Sequence, residues 1–373
     1  MKKILFLTGT RADFGKLKSL IQAVKEAADF EYRIFATGMH LLSKYGMTVI
    51  EIEKCGFKPI HRFENQTSEA AMDMSLAKTI EGFSAYVKKE QPDLIIVHGD
   101  RPEALAGAIV GALNNILVGH IEGGEISGTV DEIIRHAVSK MSHLHFVSNP
   151  TAAQRLIQLG ELEDSIFTIG SADLDILFSS RLPSTKTALS YYDIHFENYA
   201  MVLFHPVTTE MENMEQYAEN LVDALLETDH NYIVVFPNND LGSEFIFKAY
   251  KRLENNSRFR IFPSLRFEYF ISLLKKAKFL IGNSSAGIHE TPYLGIPTVN
   301  IGRRQENRDL RTQSIIHCGN SRDEILEGIQ KALKLYCEPV EVEENQAVSE
   351  KFIAALHSEA LWEIDHQKQF KDL

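Results

Sequence analysis

The 373-residue chain carries 39 Lys and Arg against 51 Asp and Glu, a formal net charge of −12, with 44% hydrophobic and 24% charged residues. At roughly 150 residues per domain this length predicts two domains, and the acidic balance excludes a protein whose main task is gripping nucleic acid, which needs surplus cations. No apolar run approaches the ~20 residues that span a bilayer, and Cys55, Cys318 and Cys337 are too few and too scattered for a disulfide framework or a zinc site.

The chain opens with Met1-Lys2-Lys3 and a short apolar run that passes straight into Thr8-Gly9-Thr10-Arg11. That run is too short for a secretory leader, so residues 3–8 are expected to form a first strand. Similar runs follow at 32–37, 93–98, 116–121, 144–148 and 166–169, separated by helical patterns such as Leu17, Leu20, Ile21 and Val24. Uniformly apolar strands alternating with helices predict a parallel sheet covered on both faces. After Pro183 and a polar stretch the pattern restarts, with runs at 200–204, 232–236, 259–262, 278–282 and 297–301. The boundary is therefore placed at 172–183. The segment 351–373 carries Phe352, Ile353, Leu356, Leu361, Trp362 and Ile364 at roughly helical spacing. The expected architecture is α/β: two doubly wound, Rossmann-like domains facing a cleft. In such sheets ligands lie at the carboxyl ends of strands, so the strand-to-helix loops are where chemistry is sought.

Four loops stand out. Thr8-Gly9-Thr10-Arg11-Ala12-Asp13-Phe14-Gly15-Lys16 puts Arg11 and Lys16 at a helix N-terminus, which favours an anion, with a plain turn as the equal alternative. His98-Gly99-Asp100-Arg101-Pro102 follows a buried strand; Pro102 suits the first helical position, leaving Asp100 and Arg101 at the loop apex, unless Asp100 merely caps the helix. In the third, Glu122 ends a strand before Gly123 and Gly124, glycines that permit close backbone approach to a ligand. Thr129 with Glu132 reads as a capping box, which places Asp131 in the first turn and Arg135 one turn below it. In the second half, Ile281-Gly282-Asn283-Ser284-Ser285 leads a strand into a helix whose N–H and hydroxyl donors suit a phosphate, with Glu290 beyond it for sugar hydroxyls. Phe204-His205-Pro206, Phe236-Pro237-Asn238 and Arg303-Arg304 also follow strands.

GTRADFGKL, HGDR, HIEGGEISGTVDEIIRH, FHPVT and GNSSAGIHE together resemble the hydrolysing UDP-N-acetylglucosamine 2-epimerases of sialic acid biosynthesis, over nearly the whole chain. Ala12-Asp13 is similar to the hydrolysing branch, whereas the non-hydrolysing relatives read Pro-Glu there. The resemblance implies a glycosyltransferase-B type fold, with domains of residues 1–172 and 173–353 and a C-terminal helix, 354–373, returning to the first. It implies Asp100, Glu122 and Asp131 as catalytic carboxylates. Arg11 and His205 are implied as nucleotide-sugar contacts, Ser284 and Ser285 on the diphosphate, Glu290 on the ribose and Arg304 on a phosphate. The loop 263–270, with Phe270, takes the uracil position. Lys16, Arg101, Arg135 and Asn238 complete the expected substrate-binding set, while Arg303 stands where close relatives have Thr. Further expectations are no metal, no nicotinamide, no nucleic acid or membrane partner, a cytoplasmic setting and a homodimer or homotetramer. Two other readings keep the UDP-sugar: the same chemistry on a 2,4-diacetamido sugar, and transfer of the sugar to an acceptor. A third is a non-catalytic sensor, which would have no need of three carboxylates around a dianionic ligand.

Overall fold

The computed structural model describes residues 1–66, 71–306, 308, 313–341 and 347–372. The chain divides into two compact units. Met1–Glu125, Asp131–Phe178 and Glu344–Leu373 build the first; Ile126–Val130 and Ser179–Glu343 build the second.

The first unit holds a seven-stranded sheet of β1 (Lys2–Thr8), β2 (Phe30–Ala36), β3 (Ile60–Arg62), β4 (Leu94–His98), β5 (Leu117–Ile121), β6 (Leu144–Val147) and β7 (Ile166–Thr168), ordered β3-β2-β1-β4-β5-β6-β7. Every pairing is parallel. β4 and β5 are buried along their whole length, which accounts for their unbroken apolar sequence. The sheet of the second unit runs β10-β9-β8-β11-β12-β13, also parallel throughout. Its strands are β8 (Ala200–Leu203), β9 (Tyr232–Val235), β10 (Phe259–Phe262), β11 (Leu280–Gly282), β12 (Thr298–Ile301) and β13 (Ile315–Cys318). Chain order reverses between β1 and β4 in one sheet and between β8 and β11 in the other, the switch points where doubly wound sheets bind ligands. No helix among the described residues is long and apolar enough to cross a membrane.

The chain leaves the first unit after Phe178 rather than after residue 172, and the helix Asp173–Leu177 explains why. Its Asp173 pairs with Lys16, and both Asp175 oxygens accept backbone N–H bonds, from Val348 at 2.7 Å and Ser349 at 2.8 Å. Those contacts also bring the chain back earlier than residue 354. Helix Val348–His357 buries Val348, Phe352 and Leu356 in the core of the first unit. The expected terminal helix 354–373 is thus displaced towards the N-terminus. It breaks at Ser358, resumes as Glu359–Trp362, and residues 363–372 form no helix.

Candidate active site

In the first unit the loops after β1, β4 and β5 supply the expected residues. Thr10 caps helix Arg11–Glu26: its side chain accepts the Asp13 amide, and Asp13 in turn accepts the amides of Gly9 and Thr10 and the Thr8 hydroxyl. Asp13 therefore occupies donors that the sequence offered to an anion. Arg11 lies half-buried in the first turn. Lys16, one turn on, points its ammonium at two carboxylates. Its Nζ lies 2.9 and 3.2 Å from the Glu122 oxygens and 3.1 Å from Asp173 Oδ2.

After β4, Arg101 rather than Asp100 is the N-cap of helix Pro102–Leu113. Asp100 pairs with Arg135, which reaches it from helix Val130–Met141. Arg101 Nε lies 3.9 Å from Glu103, a carboxyl pushed up by burial. Arg135 is 4% exposed and also donates to the Glu122 carbonyl at 2.8 Å. Burial works against its charge, but Asp100, Glu122, Glu125 and Asp131 outweigh burial and raise its pKa. One arginine thus lies in the field of all three expected catalytic carboxylates. Asp131 contributes to this field, while the ion pair of Arg135 is with Asp100.

Glu122 takes φ +62°, a left-handed conformation that is strained for a non-glycine residue and clusters at functional sites. It turns the carboxylate towards Lys16 and His98, whose Nε2 is 3.3 Å from Glu122 Oε2. Gly124, at φ +74°, serves internal packing: a Cβ there would lie 2.2 Å from the Ala152 carbonyl oxygen. His120 is fully buried in β5, with Nδ1 on the Ser139 hydroxyl and Nε2 on the Gly99 carbonyl at 2.8 Å; burial drives its pKa well down. It therefore holds the Asp100 loop as a neutral ring.

The second unit gathers its polar groups around Asn283. The Asn283 amide accepts the His205 N–H at 2.7 Å and donates to the His205 carbonyl at 2.8 Å, and its own carbonyl accepts from Arg304 and Gln305. The Asn238 N–H donates to His205 Nδ1 at 3.1 Å, so a neutral His205 carries its proton on Nε2. Ser284 and Ser285 follow, but the helix they introduce, Ala286–His289, is a single turn, with Glu290 buried at the joint to a second short helix, Thr291–Leu294. The macrodipole expected at this N-terminus is correspondingly small. Phe270 is 8% exposed and stacks on Phe267 within helix Phe267–Leu274. Arg303, 72% exposed, pairs with Glu306.

Sequence reasoning missed Asp173, His98, His120 and Asn283. His98 and Asn283 lay inside motifs already singled out. His120 likewise opens the motif HIEGGEISGTVDEIIRH, but Asp173 carried no local signal, since its partner Lys16 is remote in sequence.

Two doubly wound parallel units, each with its polar side chains gathered at the carboxyl ends of its strands, define a two-unit Rossmann-like α/β protein. The family model described as UDP-N-acetylglucosamine 2-epimerase matches residues 22–356, and the chain belongs to that family. It is 44% identical over the full length of both chains to the UDP-N-acetylglucosamine 2-epimerase of Neisseria meningitidis serogroup B. Identity is 34%, over 89% of each chain, to a hydrolyzing UDP-N,N'-diacetylbacillosamine 2-epimerase of Legionella pneumophila. It is 33% to the polysialic acid biosynthesis protein P7 of Escherichia coli, over 96% of this chain and 89% of that one. Among solved structures, the Methanocaldococcus jannaschii UDP-GlcNAc 2-epimerase in complex with UDP-GlcNAc and UDP shares the fold, with TM-score 0.80 at 21% identity over 95% and 99% of the two chains.

Proposed function

We propose that the protein is a hydrolysing UDP-N-acetylglucosamine 2-epimerase, converting UDP-N-acetylglucosamine and water to N-acetylmannosamine and UDP as the first step of sialic acid synthesis. The observation that carries this reading is the strained Glu122, held by Lys16 beside the Asp100–Arg135 pair, in a chain of this family.

The C2–H of the sugar has no neighbouring carbonyl, so it becomes acidic only as the anomeric C1–O bond breaks and positive charge grows at C1. Asp100, paired with Arg135, suits the role of stabilising that charge. Glu122 is assigned to the C2 proton, giving 2-acetamidoglucal. Asp131, half-buried in the first turn of its helix, is assigned to hydration, in which water adds at C1 and a proton arrives on the opposite face of C2. Arg11, His205, Ser284, Ser285 and Arg304 are assigned to UDP, Glu290 to the ribose and the 263–270 loop with Phe270 to uracil. Asn238 sets the His205 tautomer, so that a neutral ring carries its proton on Nε2. Lys16 and Arg135 act on the carboxylates. Three free thiols fit the reducing cytoplasm, and a homo-oligomeric state belongs to the same proposal.

The second reading, a 2,4-diacetamido sugar, is supported by the Legionella relative, and the 44% against 34% identity favours N-acetylglucosamine. Incubating the purified protein with UDP-N-acetylglucosamine alone tests the proposal, with free N-acetylmannosamine as the expected product. An absolute requirement for an acceptor, turnover of the diacetamido sugar only, or binding without turnover would each overturn it.

A further inference from the structure

Behind Glu122, Asp173 competes for the same cation. Lys16 Nζ is 2.9 Å from Glu122 Oε1 and 3.1 Å from Asp173 Oδ2, and all three side chains are nearly enclosed, Asp173 at 2% exposure. Among the described residues, groups facing Glu122 include Lys16, His98, Asp173 and, through the Glu122 carbonyl, Arg135. Those facing Asp173 are Lys16, Glu122 and His98. One ammonium therefore serves two buried carboxylates, and two negative charges so placed do not both ionise as readily as one. Asp173 Oδ1 is buried with no hydrogen-bond partner among the described residues, an arrangement that disfavours a permanently anionic carboxylate. Burial first, then the charge of Glu122, raises the Asp173 pKa against the opposing pull of Lys16.

We propose that Asp173 is a positioning residue for the epimerisation, setting the basicity of Glu122 by sharing Lys16 with it. The two carboxylates titrate as a unit across the ammonium, so the last proton leaves the pair at a higher pH than it would leave Glu122 alone on Lys16. In the step this serves, the C2–H electron pair becomes the C1–C2 double bond, the C1–O pair leaves with UDP, and the proton passes to Glu122. Without Asp173, Lys16 belongs wholly to Glu122, which becomes the weaker base. The inference rests on the proposed assignment of Glu122 to the C2 proton.

Asp173→Asn tests it. The acidic limb of kcat/KM, which reports the free enzyme, is expected to move down by roughly one to two pH units. On the plateau kcat should fall roughly three- to tenfold, as Brønsted behaviour gives for a base weakened by that much. The primary isotope effect with C2-deuterated substrate should rise, UDP affinity measured by calorimetry should hold, and Asp173→Glu should restore the limb. Retained UDP binding establishes that the variant is folded; if asparagine is not accepted, Asp173→Ser removes the same charge. An acidic limb unmoved in a folded variant refutes the role of Asp173. A wild-type protein that makes no N-acetylmannosamine refutes the activity instead, so the two failures are distinguishable.

Discussion

Replacing Glu161 by glutamine should loosen the C-terminal tail at a cost that can be worked from its contacts. Glu161 is 1% exposed and accepts from His145 Nε2 at 3.0 Å, Lys140 at 3.0 Å and Lys368 at 2.5 Å. Lys140 is 43% exposed, so its share is small, at most about 1 kcal/mol. Lys368, 20% exposed, also donates to the Ser139 and Ser142 carbonyls. Breaking one side of a buried ion pair costs about 3–5 kcal/mol. Glutamine keeps an acceptor and Lys368 keeps two carbonyls, so the lower end, about 3 kcal/mol, is expected. Urea unfolding at pH 7 measures it, and trypsin should cut sooner at Lys368. Adding Lys368→Met should recover part of the loss, because it removes the stranded charge. Burial alone would raise the Glu161 pKa, but His145 and Lys368 outweigh it and hold the carboxyl down at about 2. A depressed carboxyl gives stability that is complete above its ordinary value of 4.5 and is lost only as pH falls through about 2. The gap between wild type and Glu161→Gln should therefore not close between pH 7 and 4.5; it should widen there, because His145, already lowered by burial, loses the carboxylate that favours its charged form. A gap below about 1 kcal/mol at pH 7, too small for a broken buried pair, or one already closing above pH 4.5, would refute the reasoning.

Glu122→Gln and Asp131→Asn should each lower kcat by roughly a hundredfold or more while leaving UDP affinity within about twofold, since both are assigned to proton transfer; abolished UDP binding by calorimetry would count against that division. Arg11→Ala should weaken UDP affinity on the order of tenfold, the loss of one charge-assisted hydrogen bond, and at least as much as it slows turnover; unchanged affinity removes Arg11 from the anion site. His205→Ala should weaken UDP similarly, roughly tenfold, because His205 is assigned to the nucleotide; an unaltered Kd would end that assignment.

The strands legible in the sequence are those that keep a mostly apolar run, the fully buried β4 and β5 and also the edge strands β7 and β10. β3 (Ile60–Arg62) and β13 (Ile315–Cys318) were not legible. Each is an edge strand, half-covered, with the exposed His61, Arg62 and His317 breaking the apolar run. The terminal segment read as one helix because its apolar residues keep helical spacing past Ser358, yet its last residues are held by side chains from elsewhere, Lys368 on Glu161 and His366 on Asn115. Among the expected site residues, motif chemistry brought Asp100, Glu122 and Arg135 to notice because each follows a strand or opens a helix near one. Lys16 was legible as a cation at a helix start, but not as the partner of Glu122, 106 residues on. Asp173 lies in the boundary segment 172–183, with no motif around it to mark it. Only the return of helix Asp173–Leu177 onto the first unit reveals it.

The most direct test of the account follows the bond that breaks and the proton that moves. With UDP-N-acetylglucosamine in heavy-oxygen water, elimination across C1–O sends the bridging oxygen out with UDP, so UDP should emerge without solvent oxygen. In heavy water the N-acetylmannosamine should carry one non-exchangeable deuterium at C2, delivered to the face opposite the one Glu122 deprotonates. Solvent oxygen in the UDP, or protium retained at C2, would contradict the mechanism.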